Sequence, residues 1–320
     1  MKINYWEILK KAWKIAWKNR YLWWFGFFVS LSWLANFNCF FDSEENPAEQ
    51  EKIMQFISQN VCWVIIIGLA FFVVWIIFFV LKIIGKGALI NSIFSQLQEE
   101  QGNFKIGWKK GKENFKKIFL IIFVLGLFIL FTIGILTIPV AVLLINHNYI
   151  IGFLMAFLAV VIVISLLILT AYLRIFGCLY AILGKLNFWT ALEKAYDLFR
   201  KNIRSSLIMG IIFIPVNIFL AILFFMLFIP IAVIFFVAGL ILYFTAGPIG
   251  AIISSVIGLI IFLFFILVIR SVYEVFSQAV WILFFQEIVK TPAPEIIAKE
   301  TKEEIKSDTK PLPIIELTKK

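Results

Sequence analysis

Reactive side chains are scarce in this chain of 320 residues, and their spacing excludes most chemistry. There is one histidine, His147, so a histidine cluster for metal binding cannot be assembled. It falls in the short polar turn "NHN", where a solvated turn residue is expected. Three cysteines are too few for a disulfide scaffold or a cysteine-rich metal centre. No H-E-x-x-H, G-x-S-x-G or Walker-type loop occurs, and no apolar segment holds a pair of carboxylates. No catalytic, cofactor-binding or metal-ligating residue is expected, no cofactor, and no enzymatic activity. One covalent possibility stands: Cys39 and Cys62 flank the acidic loop "DSEENPAEQEKIMQFISQN" and could pair in an oxidising exterior. Asn46-Pro47 in that loop is a helix-start signal, so a short amphipathic helix is expected over 47–59. Cys178 reads as a reduced, buried thiol.

The remaining chemistry belongs to lysine and arginine, and it repeats. Three segments align without gaps: "NYWEILKKAWKIAWK" from Asn4, "NFKIGWKKGKENFKK" from Asn103 and "NFWTALEKAYDLFRK" from Asn187. Lys11, Lys110 and Lys194 coincide, as do Lys18, Lys117 and Lys201, and the small residues Ala12, Gly111 and Ala195. In the third segment the apolar positions 188, 192, 195 and 199 make one helical stripe. Such a helix, apolar on one side and basic on the other, is expected to lie in the membrane interface. The recurrent small residue implies close approach to another helix or to the bilayer. A basic residue beside an anionic leaflet contributes about 1 kcal/mol. The six aligned lysines are therefore the candidates for contact with anionic lipid or with a membrane or cytoplasmic protein partner.

The elements that position these lysines follow from composition. Hydrophobic residues make up 62% and charged residues 15%, with a mean hydropathy of +1.00. Soluble domains sit near 45–50% apolar, so this is a membrane protein. Charge-free apolar runs of span length occur at 21–41, 61–81, 118–145, 150–173, 205–229 and 248–269. Of the 29 basic residues, six fall in 1–20, eight in 82–117, six in 174–205 and eight in 270–320, leaving Lys52 alone between the first two spans. That one-sidedness predicts six spans with both termini cytoplasmic, and it assigns the net charge of +10 to the membrane surface rather than to nucleic acid. Tryptophans such as Trp13, Trp17, Trp23, Trp24, Trp33 and Trp63 lie near span ends, as aromatic belts do. The first twenty residues are too long and too tryptophan-rich for the start of a signal peptide, and no A-x-A site follows, so the first span is expected to be retained.

One stretch supports two parsings. Residues 206–245 are apolar for twice a span, with Pro215 and Pro230 inside. They read as one span plus a re-entrant or interfacial half-helix over 230–245, or as two spans; charge placement favours the first. Pro215, Asn217 and Pro230 are the candidates for a helix-break cavity, because broken helices can line a path without charged groups.

"TIPVAV" from Thr137 echoes "FIPIAV" from Phe228, and Lys82, Arg174 and Arg270 each end the second span of a unit. The expected fold is an all-α integral membrane helical bundle, six spans arranged as three modules over 1–84, 100–176 and 185–272. Each module is an interfacial amphipathic helix followed by a transmembrane hairpin. A single membrane domain would occupy 1–290. Residues 291–320, "TPAPEIIAKETKEEIKSDTKPLPIIELTKK", mix both charges with prolines and read as a flexible cytoplasmic tail.

The island "FWTALEKAYDLFRKN" ahead of an apolar hairpin resembles a repeated feature of polytopic bacterial membrane proteins. These include the membrane domain fused to some glycerophosphodiester phosphodiesterases and its stand-alone, uncharacterised relatives. The resemblance covers most of 1–290 and implies a multi-pass protein of a bacterial-type plasma (inner) membrane. The catalytic barrel of those fusions has no counterpart here, so no site or activity is carried over. The expected role is a non-enzymatic scaffold or helper for lipids or envelope proteins, acting through a basic cytoplasmic collar. The alternative is a small permease or lipid transporter with a cavity between the hairpins.

Overall fold

The computed structural model describes residues 3–34, 58–99 and 102–289. Among them the elements are all helices: α1 Tyr5–Lys18, α2 Leu22–Leu34, α3 Val61–Leu97, α4 Phe104–Glu113, α5 Phe115–Ile145, α6 Tyr149–Leu183, α7 Phe188–Lys201, α8 Ile203–Ala246 and α9 Pro248–Val289. Helices α3, α5, α6, α8 and α9 are long and apolar enough to cross a membrane. Helix α2 is a shorter apolar helix. Cys39, the acidic loop with its expected helix at 47–59, and the tail from Thr291 lie outside the described residues.

The chain is thus an all-α, multi-pass membrane protein, and the solvent its long helices require is visible in their surfaces. Phe71, Phe131, Phe153, Phe225 and Phe244 are all exposed, as are most of their apolar neighbours. Contiguous apolar surface of this extent marks a membrane contact. A helix meets that medium without cost, because its backbone groups are satisfied internally.

The break expected near Pro230 is absent. Helix α8 runs through Pro215 and Pro230 as one helix of 44 residues. Each proline removes one N–H donor, but side chains and neighbouring groups can re-satisfy the freed backbone in a membrane helix. Beside Pro215 the Asn217 side-chain amide donates to the Phe213 carbonyl at 2.8 Å. At 1.5 Å per residue α8 is about 66 Å long, more than twice a hydrocarbon core of about 30 Å.

Its antiparallel partner α9 explains the excess. Gly247, at φ +71°, is the only residue between the two helices, and Pro248 opens α9. Glycine adopts that left-handed conformation at no steric cost, and proline fits the first helical position because its missing N–H would be unpaired there anyway. The hairpin then pairs Ser254 with Phe235, Phe262 with Phe228 and Tyr273 with Asn217. In this register Arg270 stands level with about Leu220. The part of α8 paired with α9 between this level and the Gly247 turn is therefore roughly 221–246, about 39 Å of helix.

The described residues divide into two compact units, Met1–Phe119 with Ile203–Ile282, and Leu120–Asn202 with Leu283–Lys320. In the first, the buried side chains concentrate near the basic ends of the helices: Ile83, Leu89 and Ile93 of α3 after Lys82, Met209 and Phe213 of α8, and Val275–Ile282 of α9 after Arg270. Phe25 of α2 is fully buried and stacks on Phe104 of α4, with ring centroids 4.8 Å apart. Phe213 stacks on Trp281 at 5.5 Å. Two glycines let helix backbones approach closely. A Cβ on Gly111 would stand 2.5 Å from the Ile84 carbonyl oxygen, and one on Gly26 would collide with the Ser271 carbonyl. Small residues at helix contacts bring backbones together in this way. The Ser271 hydroxyl in turn donates to the Trp23 carbonyl.

The second unit repeats the pattern. Beyond Arg174, residues 176–183 of α6 are buried, and α7 packs along them. Phe199 stacks on Tyr172 at 4.9 Å, while Tyr180 meets the edge of Phe285 at 4.9 Å.

Candidate functional site

The basic helices α1, α4 and α7 begin at the three aligned asparagines. The Asn4 side-chain oxygen accepts from the Glu7 N–H at 3.3 Å, and that of Asn103 from Lys105 N–H at 3.4 Å; Asn187 precedes α7 without such a bond. An asparagine side chain satisfies one of the N–H groups that a first helical turn leaves without partners. All three helices also end on asparagine, a recurrence that the lysine pattern overshadows in the sequence. The Asn19, Asn114 and Asn202 amides donate to the carbonyls of Ile15, Lys110 and Leu198, four residues back, at 3.2, 2.9 and 3.1 Å. Asn114 comes one turn early, so α4 has 10 residues where α1 and α7 have 14.

Each of these helices spends its small-residue face on protein. Ile8, Ala12 and Ala16 of α1 are buried, Gly107 and Gly111 of α4, and Ala191, Ala195, Leu198 and Phe199 of α7. Of the two approaches expected of the small residues, to another helix or to the bilayer, the fold uses the first. The cause is the continuation of the long helices past Lys82, Arg174 and Arg270, which offers apolar ridges that hydropathy-based span ends hide. Gly111 meets α3, Leu192 lies against Gly177 of α6, and Trp13 of α1 meets Phe276 of α9 edge-on at 5.9 Å.

A different, aromatic face stays exposed. Trp6, Trp13 and Trp17 recur at i, i+7 and i+11, within about 40° of one another around the helix. They stay 76%, 53% and 47% exposed. Trp189 and Tyr196 hold the matching places on α7 and are exposed as well. On α4 those places are taken by Lys105 and Lys112, and Lys112 lies over the Trp108 ring at 5.9 Å. The spacing of the tryptophans carried this signal in the sequence, under the stronger lysine pattern.

Of the six aligned lysines, Lys11, Lys18, Lys194 and Lys201 are exposed, whereas Lys110 and Lys117 are half-buried. Lys11 pairs with Glu7 at 2.7 Å, and the lysine holds the Glu7 carboxyl below its usual range. That pair is solvent-exposed and adds little to stability. Lys110 instead borders a polar crevice of about 70 Å³ with Asn91, Ser95 and Asn103. At the end of α1, burial raises the Tyr21 phenol above its ordinary range, partly offset by the Gln96 amide, which donates to it at 3.2 Å.

The other candidates are dispersed. Pro215 and Pro230 lie inside unbroken α8, and Asn217 is engaged with Phe213 and Tyr273. Cys62 is exposed in the first turn of α3, and Cys178 is fully buried. His147 occupies the α5–α6 turn at φ +57°, its Nδ1 2.6 Å from the Tyr149 hydroxyl. Among the described residues, no three His, Cys, Asp or Glu side chains are grouped to hold a metal. Comparison with family models, curated proteins and solved structures returns no match.

Proposed function

We propose that this chain is a non-enzymatic scaffold or helper that engages anionic lipids, and proteins assembled on them, at the cytoplasmic face of a bacterial-type plasma membrane. Six spans in three modules would carry the amphipathic helices to that one face, with both termini cytoplasmic. The observation that carries the reading is the division of labour on α1 and α7. Their small-residue faces are buried on protein, which leaves the Trp6/Trp13/Trp17 and Trp189/Tyr196 faces exposed beside lysines. Tryptophan and tyrosine favour the headgroup level, and nearby lysines favour anionic lipid there. A helix anchored on one side and aromatic–basic on the other reads the membrane surface without leaving its fold.

The test is energy transfer from tryptophan to dansyl-labelled phosphatidylglycerol or phosphatidylcholine around the reconstituted full chain. The anionic probe should be preferred, and changing Lys10, Lys14 and Lys18 to Gln should remove most of that preference. Equal transfer to both probes in the unaltered protein would refute the reading.

A further inference from the structure

An apolar groove of about 650 Å³ lies between α2 and α9 in the first unit. Its volume is in the range of small-molecule sites. Trp24 and Phe27 form one wall; the α9 wall runs from Ile260 through Phe264 and Leu267 to Ser271. These α9 residues recur on one face, and the eleven rises of about 1.5 Å between Ile260 and Ser271 make the wall about 16 Å long. Half of a hydrocarbon core of about 30 Å is about 15 Å, so the groove has the length of one leaflet.

Polarity is confined to one end. Arg20, in the turn joining α1 to α2, is the single charged residue of the lining. Its guanidinium makes no hydrogen bond or ion pair among the described residues. The other polar groups there are already used: the Ser271 hydroxyl donates to the Trp23 carbonyl, and the Trp23 indole N–H donates to the Ala16 carbonyl at 2.8 Å. The mouth therefore offers one cation, unmatched among the described residues, at the level of Arg270, with hydrocarbon-compatible walls extending away from it. A zwitterionic lipid would match the walls equally well but would bring its own cation to that mouth. A soluble anion would leave the walls unfilled.

We infer that this groove is a binding site for one anionic phospholipid, an acyl chain lying along α9 and the phosphate paired with Arg20. An exposed arginine fork matches phosphate geometry bidentately. The inference rests on the reading of the basic end as the headgroup level, but it assigns a single built site rather than a diffuse surface.

The full chain, purified in mild detergent with equal phosphatidylglycerol and phosphatidylcholine, should retain one phosphatidylglycerol by native mass spectrometry. Arg20→Gln should cut its preference over phosphatidylcholine by about tenfold, the size of one charge-assisted hydrogen bond. Ile260→Trp, at an exposed position that should tolerate the ring, should abolish retention of either lipid. Lys10→Gln with Lys14→Gln should leave the single retained lipid in place. If those two lysine changes release it as readily as Arg20→Gln does, the groove assignment fails and the diffuse surface survives. Retention of a free fatty acid or phosphatidylcholine, or indifference to both groove variants, overturns the assignment too.

Discussion

The Tyr273 hydroxyl of α9 donates a 2.9 Å hydrogen bond to the side-chain oxygen of Asn217 on α8, whose amide is already bound to the Phe213 carbonyl. With the Ser254–Phe235 and Phe262–Phe228 contacts, this pair sets the register of two helices of 44 and 42 residues, within a turn of Arg270. Asn217 is a register pin and not the lining of a helix break. Tyr273→Phe and Asn217→Leu should each destabilise the protein, and the double variant should lose less than the sum. The expected coupling is about 0.5–1.5 kcal/mol. Denaturant titration of the four proteins in mixed micelles measures it, and strict additivity would mean that the bond fixes nothing.

Close helix contacts separate the glycines into two groups. Gly111→Ala would place its Cβ 2.5 Å from a backbone oxygen and 3.0 Å from the Ala88 Cβ, neither of which can swing away. A loss of about 1–3 kcal/mol is expected, as for overpacked cores. At Gly126 and Gly134 of α5 an added methyl group would meet nothing within 4 Å, so Ala there should be neutral or stabilising. Unfolding midpoints of the three variants decide whether α4 is held on α3 by this contact.

Trp6 and Ala12 should behave oppositely, although they share a helix. Trp6 is 76% exposed and Ala12 is fully buried. Trp6→Ala should leave the unfolding midpoint within about 0.5 kcal/mol of the parent, as exposed substitutions do, while weakening contact with headgroups. Ala12→Leu should lower the midpoint clearly. Headgroup contact is read by quenching with a lipid carrying a spin label at the glycerol level; equal stability loss in both variants would contradict the two-face description of α1.

Tyr21 makes the folded state sensitive to alkali. Its phenol titrates at higher pH in the folded protein than in the unfolded chain, because burial disfavours the phenolate. The contribution is complete below the unfolded value of about 10 and is lost as pH rises through the folded value. Stability should fall as pH rises above about 10, and Tyr21→Phe should make that fall shallower. An unchanged slope in the variant would show that Tyr21 ionises freely.

Much of this was legible in the residues. The runs at 61–81, 118–145, 150–173 and 248–269 each lie inside a long helix, because uninterrupted apolar sequence has few other solutions in lipid. Asn4 and Asn103 mark helix starts because capping is a local interaction. What hydropathy could not supply was register. Nothing in residues 206–245 says which part pairs with α9, since both halves are equally apolar; only contacts such as Asn217 with Tyr273 and Phe235 with Ser254 set that register. The faces of α1 were hidden for a related reason. Ala12 and Trp6 both count as apolar, yet one meets a helix and the other is exposed, and only the packing partner separates them.

Side-specific labelling of single cysteines in the full chain, after Cys39, Cys62 and Cys178 are replaced by serine, tests the one-faced arrangement most directly. A membrane-impermeant maleimide applied from outside should reach cysteines at His147 and Gly247, the turns at the far ends of the hairpins. Cysteines at Lys18, Lys194 and Lys201 should react only when the inner face is opened to the reagent. If Lys18 and Lys201 label from opposite faces, or His147 labels with the lysines, the basic helices do not share a surface and the lipid-facing collar is wrong.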